Sequence, residues 1–176
     1  MIDKVRCVVW MTGYSGSGKS TLAQGLHEML SEINIHSVII DGDIIRQQAN
    51  ADLSFSDNDR FTNAKRVVDI VNNKSTDLVI VSLISPFNVI RDYARTNCIC
   101  NIFLETFVNS SLEVCEKRDS KGLYKKARRG EIVNFTGISS KFQTPVNPDI
   151  IINTETTSVQ ESTLELFKKV CGYLKL

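Results

Sequence analysis

Apolar residues along the chain follow two alternating rhythms: short unbroken runs, and longer stripes at helical spacing. The first run, Cys7-Val8-Val9-Trp10-Met11, is β-branched and aromatic and is stopped by Gly13, which predicts a strand covered on both faces. From about Lys19 onward, Leu22, Leu26, Met29, Leu30 and Ile33 recur at intervals of three and four, predicting an amphipathic helix. Val38-Ile39-Ile40 reads as a second strand ended by Asp41-Gly42-Asp43, and Ala64, Val67, Val68 and Val71 mark a second helical stripe. Ser56 and Asp59 stand at its start with capping-box spacing. Leu78-Val79-Ile80-Val81 is a third strand, and residues 88–95 and 98–104 read as a short helix and a fourth strand. Ser110 and Glu113 are expected to cap a helix that ends near Arg118. Residues 119–148 are polar, basic and rich in turn formers, with no steady period; Ile150-Ile151-Ile152 then predicts a fifth strand. Leu164, Phe167, Val170, Cys171 and Leu174 stripe a closing helix.

Regular alternation of strand and helix implies right-handed crossovers and a parallel sheet with helices on both faces. The expected fold class is therefore α/β, with five parallel strands in one domain spanning residues 1–176. Such sheets bind ligands beyond the carboxyl ends of their strands, which here places residues 13–20, 41–46 and 84–91 together.

Charge narrows the partners. The 176 residues carry 21 basic and 20 acidic side chains, a net charge of +1, which gives no global field for nucleic acid or an anionic membrane. No apolar stretch approaches the roughly 18 residues of a membrane span, and Met1-Ile2-Asp3-Lys4-Val5-Arg6 lacks the form of a signal peptide. The five cysteines are odd in number, and Cys98 and Cys100 have neither redox-pair nor zinc-knuckle spacing. They read as reduced thiols of a cytoplasmic protein. His27 and His36 have no second ligand at useful spacing, so no metal centre is expected from them.

Gly13-Tyr14-Ser15-Gly16-Ser17-Gly18-Lys19-Ser20 fits G-x-x-x-x-G-K-[ST], between a predicted strand and a predicted helix. The glycines let backbone N–H groups turn toward phosphate oxygens, and the helix N-terminus adds partial positive charge. Lys19 is expected at the β- and γ-phosphates and Ser20 on Mg²⁺, with Thr21 and Arg118 also on the ATP side. Asn73-Lys74-Ser75-Thr76-Asp77 imitates a guanine-reading N-K-x-D, but its aspartate falls one residue late and it precedes a strand. The third strand ends in Ser82-Leu83-Ile84-Ser85, without the acidic residue that many ATPases place there. The carboxylates instead follow the second strand, as suits a small-molecule kinase whose acceptor hydroxyl meets a carboxylate across from the phosphate loop. Asp43 is expected to orient and deprotonate that hydroxyl, and Asp41 to hold a magnesium-bound water.

Further elements carry a resemblance. Asp41-Gly42-Asp43-x-x-Arg46 is followed by Phe55-Ser56-x-x-Asp59-Arg60-x-x-Asn63, Ile84-Ser85-Pro86-Phe87 and Arg91-Asp92. Then come Arg118-Asp119-x-Lys121-Gly122-Leu123-Tyr124-Lys125-Lys126-Ala127-Arg128, Asn134-Phe135-Thr136-Gly137-Ile138 and Pro145-x-x-Pro148. With these motifs in order, the chain closely resembles the adenylyl-sulfate kinases (APS kinases) over almost its whole length. The resemblance implies a P-loop NTPase fold of the nucleotide-kinase type, a basic lid at about residues 119–137, and a homodimer. It implies that ATP and adenosine 5′-phosphosulfate give ADP and 3′-phosphoadenosine 5′-phosphosulfate, serving sulfate assimilation. Phe55 and Phe135 match the aromatic pair that sandwiches the acceptor adenine, although from spacing alone they read as core aromatics. Arg46, Arg60, Asn63 and Lys121 match residues that hold the acceptor's phosphosulfate and ribose. Ile84, Ser85 and Pro86 match the loop beside the acceptor, Ser85 at a position described in the family as a phosphoserine intermediate. In-line transfer itself needs positioning and charge neutralisation, not a protein nucleophile.

The chain departs from the family pattern at Tyr14 (usually Leu), Gln47-Gln48-Ala49-Asn50 (usually H-G-L-N), Ser54 (usually Gly) and Thr62 (usually Glu). Apart from Tyr14, these changes lie on the acceptor side. They leave three readings: an APS kinase, a related kinase of another activated nucleotide such as a cytidine diphosphoramidate in surface-polysaccharide synthesis, and a non-catalytic nucleotide-binding partner. Intact Lys19, Ser20, Asp41, Asp43, Arg60 and Lys121 argue against the last.

Overall fold

The computed structural model describes residues 5–48 and 52–176, and the side chains of residues 5 and 46–48 lie outside that description. The acceptor contact expected of Arg46, and the departures at Gln47-Gln48-Ala49-Asn50, therefore fall outside the described side chains. In chain order the elements are β1 (Val5–Thr12), α1 (Lys19–Glu32), β2 (Ser37–Asp41), α2 (Gly42–Gln48), α3 (Asp57–Asn72) and β3 (Leu78–Ser82). They continue with α4 (Asn88–Asn97), β4 (Cys100–Asn109), α5 (Leu112–Arg118), α6 (Leu123–Arg128), β5 (Ile150–Asn153) and α7 (Val159–Leu174). Among the described residues the five strands form one sheet in the order β2-β3-β1-β4-β5, every neighbouring pair parallel.

Side chains on a strand alternate between faces, and β1 feeds two cores. Cys7, Val9 and Met11 pack with Leu22, Leu26 and Leu30 of α1 and with Leu166, Val170 and Leu174 of α7. Val8 and Trp10 pack on the other face with Val67, Val68 and Val71 of α3 and Ala94 of α4. Burial on both faces is the reason the strands read as unbroken apolar runs. Burial also pushes the thiols of Cys7, on β1, and of Cys98, which lies outside the strands, up to about 12, which leaves them protonated and unreactive at neutral pH. All five cysteines are free.

The structure extends or corrects the sequence reading at several elements. β4 begins at Cys100, with Cys98 as the C-cap of α4, and runs through Glu105 and Thr106 to Asn109. Those two polar residues looked like the end of a strand but are buried, Glu105 against an arginine. α5 is capped by Ser111, whose hydroxyl accepts from Val114 N at 3.3 Å, and not by Ser110. At the start of α3, Ser56 caps as expected, while the Asp59 carboxylate accepts from the backbone N and hydroxyl of Ser54, so this departure from the family pattern stabilises a helix entry. The segment that showed no period contains α6, whose Tyr124 and Ala127 are buried with Cys115 and Phe135 in a small third core. Six residues of helix are too few for a stripe to register as periodic.

Candidate active site

In the turn between β1 and α1, the five successive carbonyls of residues 13–17 each accept from a side chain. Lys19 Nζ donates to Gly13 O at 3.0 Å and to Tyr14 O at 2.7 Å. The Tyr124 hydroxyl donates to Ser15 O at 2.8 Å, Arg118 to Gly16 O at 3.3 Å, and the Thr154 hydroxyl to Ser17 O at 2.7 Å. With the carbonyls occupied, the N–H groups that follow Gly13 in the loop, other than Ser17 N, which donates to Tyr14 O at 3.2 Å, can face a polyanion. Gly18, at φ 102°, precedes α1, and no side chain caps that helix. Its first N–H groups and its dipole therefore point into the loop. Gly13 has a further constraint, because at φ 148° an added Cβ would lie 2.5 Å from Val108 O. Any larger residue would push the loop off β4.

Lys19 is 8% exposed, and burial pushes its ammonium down to about 8. This yields a pH prediction. A polyphosphate favours the charged form, so ATP affinity should fall as pH rises through about 8, and binding above that pH should take up a proton. Stability without nucleotide should run the other way. Between about 8 and the ordinary 10.5 the unfolded chain holds the extra proton, so stability rises with pH across that window. Calorimetric titration in buffers of differing ionisation enthalpy measures the uptake; binding with no proton uptake above pH 8 would contradict the shift.

At the far end of the loop the Ser20 hydroxyl donates to Asp41 Oδ2 at 2.6 Å and lies 3.3 Å from the Ser82 hydroxyl. The second Asp41 oxygen accepts from Asp43 N at 2.9 Å. This is a cluster of hard oxygens beside the phosphate loop, the donor set that suits Mg²⁺. Ser82 was passed over in the sequence because it is not acidic. Asp43 pairs with Lys121, which connects the carboxylate after β2 to the basic segment before α6.

The residues expected on the acceptor side converge. Phe55, Arg60, Asn63, Ile84, Ser85, Pro86, Lys121 and Phe135 line one cavity of about 520 Å³, which also contains Lys19, Ser20, Thr21, Asp41, Asp43 and Arg118. Arg60, 6% exposed, donates from Nε to Phe55 O at 3.0 Å and from a terminal nitrogen to Asn134 O at 2.5 Å. One guanidinium thus fastens the two loops that carry the phenylalanines. Phe135 is both core aromatic and cavity wall: it is buried and meets the Tyr124 ring edge-on at 5.0 Å between centroids. Ser85 is also buried, at φ 43°, with its hydroxyl accepting from Trp10 Nε1 at 3.0 Å. The Tyr14 ring packs on Phe142, 4.7 Å between centroids, so this phosphate-loop position contributes its backbone to the loop and its side chain to the third core. Thr154, Thr157 and Ser162, near the carboxyl end of β5 and the start of α7, line the same cavity and carried no sequence signal.

A phosphate-binding loop, a hard-oxygen corner and a second, aromatic-walled compartment in one cavity at the carboxyl edge of a parallel sheet define a P-loop kinase. The family model for adenylylsulphate kinase matches residues 5–153. The chain belongs to that family, the ATP-dependent kinases that convert adenosine 5′-phosphosulfate to 3′-phosphoadenosine 5′-phosphosulfate. A probable adenylyl-sulfate kinase of Halalkalibacterium halodurans is 48% identical over 170 residues, 96% of this chain and 82% of that one. The adenylyl-sulfate kinase of Rippkaea orientalis is 44% identical over 170 residues, 94% of this chain and 93% of that one. The Mycobacterium tuberculosis APS kinase, solved with AMPPNP and APS, superposes with a TM-score of 0.88 at 40% identity, covering 95% of this chain and 98% of that one. Acinetobacter baumannii shikimate kinase, at 10% identity and a TM-score of 0.60, shares the fold. No helix among the described residues is long and apolar enough to cross a membrane.

Proposed function

We propose that this chain transfers the γ-phosphoryl group of ATP to the 3′-hydroxyl of adenosine 5′-phosphosulfate through the residues that share the 520 Å³ cavity. The observation that carries the reading is that one continuous space is lined by Lys19, Asp43 and the phenylalanine pair. Transfer needs the donor phosphate and the acceptor hydroxyl in line and the developing charge neutralised. Lys19 and the backbone N–H groups of the loop supply charge on the donor side. Ser20 and Asp41 would hold Mg²⁺, Asp41 through water; when bound, the ion neutralises and orients the phosphates. Asp43 accepts the hydroxyl proton, and Lys121 leaves its pairing with Asp43 for the acceptor's anionic groups. Arg60 and Asn63 orient the acceptor, and Ser85 holds the shape of its loop. Residues 119–137 act as the lid. The homodimer rests on the family resemblance alone and is read by sedimentation.

Phe55 and Phe135 stack the acceptor adenine in this reading. Base stacking on an aromatic ring contributes about 1–3 kcal/mol, so Phe55→Ala should lower kcat/KM for the acceptor roughly tenfold to a hundredfold. Phe135→Leu, which keeps the third core filled, should do the same with a smaller stability loss than alanine. KM for ATP should stay within about twofold of the native value. A coupled ADP-release assay with adenosine 5′-phosphosulfate and a panel of other nucleotides tests both claims. Preference for a cytidine diphosphoramidate, or equal loss on the ATP side, would overturn the acceptor assignment.

A further inference from the structure

Arg91, on α4, is 1% exposed and is not among the residues that line the cavity. Its Nε is 2.9 Å from Glu105 Oε1, one terminal nitrogen donates to Ser85 O at 2.6 Å, and the other donates to Gln143 O at 2.7 Å and to Asn88 Oδ1. Four donors of a single planar fork are thus spent on four residues, one of them at the start of α4 itself. One of those contacts, Ser85, stands in the lining of the cavity, and another, Gln143, lies outside it on the segment that leads away from Phe135. Ser85 lies between Ile84 and Pro86, and Gln143 follows Phe135 by eight residues, across a turn in which Ser139 N and Ser140 N donate to Phe135 O at 3.0 Å. Direct contacts join the same two segments: Gln143 N donates to Pro86 O at 2.7 Å, and Asn88 N donates to Gln143 Oε1 at 2.8 Å.

A buried guanidinium is costly unless its donors are met, and a well-packed apolar pair often stabilises a core as well. What the guanidinium adds is direction, because its five N–H groups leave a rigid plane at fixed angles. The residue it directs adopts a backbone conformation that non-glycine residues seldom take: Ser85 has φ 43°. Thr12 Oγ1 also donates to Ile84 O at 2.7 Å and to Ser85 O at 3.2 Å, so that loop carbonyls are met from β1 as well as α4. The carboxylate that orients Arg91 is itself fixed. Glu105 is 7% exposed, its second oxygen lies 3.4 Å from Arg95, and Arg95 reaches Asp149 at 2.6 Å.

We infer that Arg91 is a positioning residue for the transfer reaction, a clamp that fixes the Ile84–Pro86 wall of the acceptor compartment against the segment that runs from Phe135, in the facing wall, to Gln143. The inference rests on the acceptor assignment made above and extends it to a residue that does not touch the acceptor. The Arg91–Glu105 pair fixes the guanidinium plane, and the plane fixes both carbonyls.

Arg91→Lys keeps a cation beside Glu105 but cannot serve four acceptors at once. Misplacing a binding wall by about an ångström can cost about a hundredfold, so kcat/KM for adenosine 5′-phosphosulfate should fall about a hundredfold. KM for ATP should change less than about twofold, and ADP should still raise the melting temperature. Hydrogen exchange should quicken at residues 84–88 and 139–143 and stay unchanged at 13–20. Glu105→Gln, which keeps the length of the side chain and removes its charge, should give the same acceptor-specific pattern at smaller amplitude, and it decides the matter if Arg91→Lys does not fold. Parallel loss on the ATP and acceptor sides, or unchanged exchange at both segments, would overturn the clamp. If the native enzyme turned over no adenosine 5′-phosphosulfate, the acceptor assignment would fail. The exchange comparison would still show whether Arg91 holds the two segments together.

Discussion

Lys19→Met is expected to leave the fold in place and to lower kcat/KM by about a hundredfold to a thousandfold or more, a loss of about 3 kcal/mol or more in transition-state stabilisation. The ammonium lies among the loop carbonyls, 2.7 Å from Tyr14 O and 3.0 Å from Gly13 O, where the proposed function puts the β- and γ-phosphates of the nucleotide. Charge on the transferring group spreads over its equatorial oxygens as the bond to the leaving oxygen loosens, and a fixed cation in a dry site is worth more there than in water. Methionine fills nearly the same volume without the charge. Two carbonyls lose a donor, but the cost of desolvating the ammonium disappears, so the melting temperature without nucleotide should move by no more than a few degrees. The variant should also lose the rise in stability above pH 8 that burial of the ammonium predicts. Coupled ADP release beside thermal melts over pH 7–10 reads both effects. Near-native turnover would remove Lys19 from the mechanism.

The difference between what could and could not be read in advance follows sequence separation. The phosphate loop was legible because its parts are contiguous: eight residues carry the glycines, the lysine and the hydroxyl, between a strand and a helix that both announce themselves. The strands were legible because burial on both faces forces β-branched runs. What was missed depends on partners far along the chain. The extension of β4 through Glu105 makes sense only with Arg91 opposite it. Tyr124 had a place in a family motif, but its bond to Ser15 O spans 109 positions, and Thr154 reaches Ser17 O across 137. Two short helices failed for a local reason. α2 begins at the Asp41-Gly42-Asp43 run that reads as a turn, and α6 is too short to show a period. The aromatic pair lies between these cases. Spacing points Phe135 to the core and the family resemblance points it to the acceptor; it is buried in the third core and also lines the cavity.

Asp43→Asn carries the second large effect. Positioned general bases contribute about a hundredfold to ten-thousandfold, and the rate at saturating substrates should fall within that range while ATP binding is kept. The geometry separates this residue from its neighbour. Asp41 is engaged with the Ser20 hydroxyl and with Asp43 N, inside the corner that suits a magnesium ion, whereas the Asp43 carboxylate reaches across the cavity to Lys121. Asp41→Asn should therefore raise the magnesium and ATP requirement before it touches the chemical step, and Asp43→Asn should do the reverse. The pair with Lys121 is more than half exposed, with side chains 56% and 59% accessible, so breaking it should cost little stability. That makes the kinetic reading clean, because a rate loss in Asp43→Asn cannot be charged to unfolding. It also predicts the behaviour of Lys121→Met. An acceptor anion must draw Lys121 away from Asp43 before the carboxylate can take the hydroxyl proton, so the variant should bind the acceptor less tightly yet retain more of its rate than Asp43→Asn. Single-turnover kinetics with ATP and acceptor both saturating provides the comparison. If Asp43→Asn instead lost ATP affinity and kept its rate, the base would have to be sought elsewhere, and Asp43 would move to the nucleotide side of the cavity.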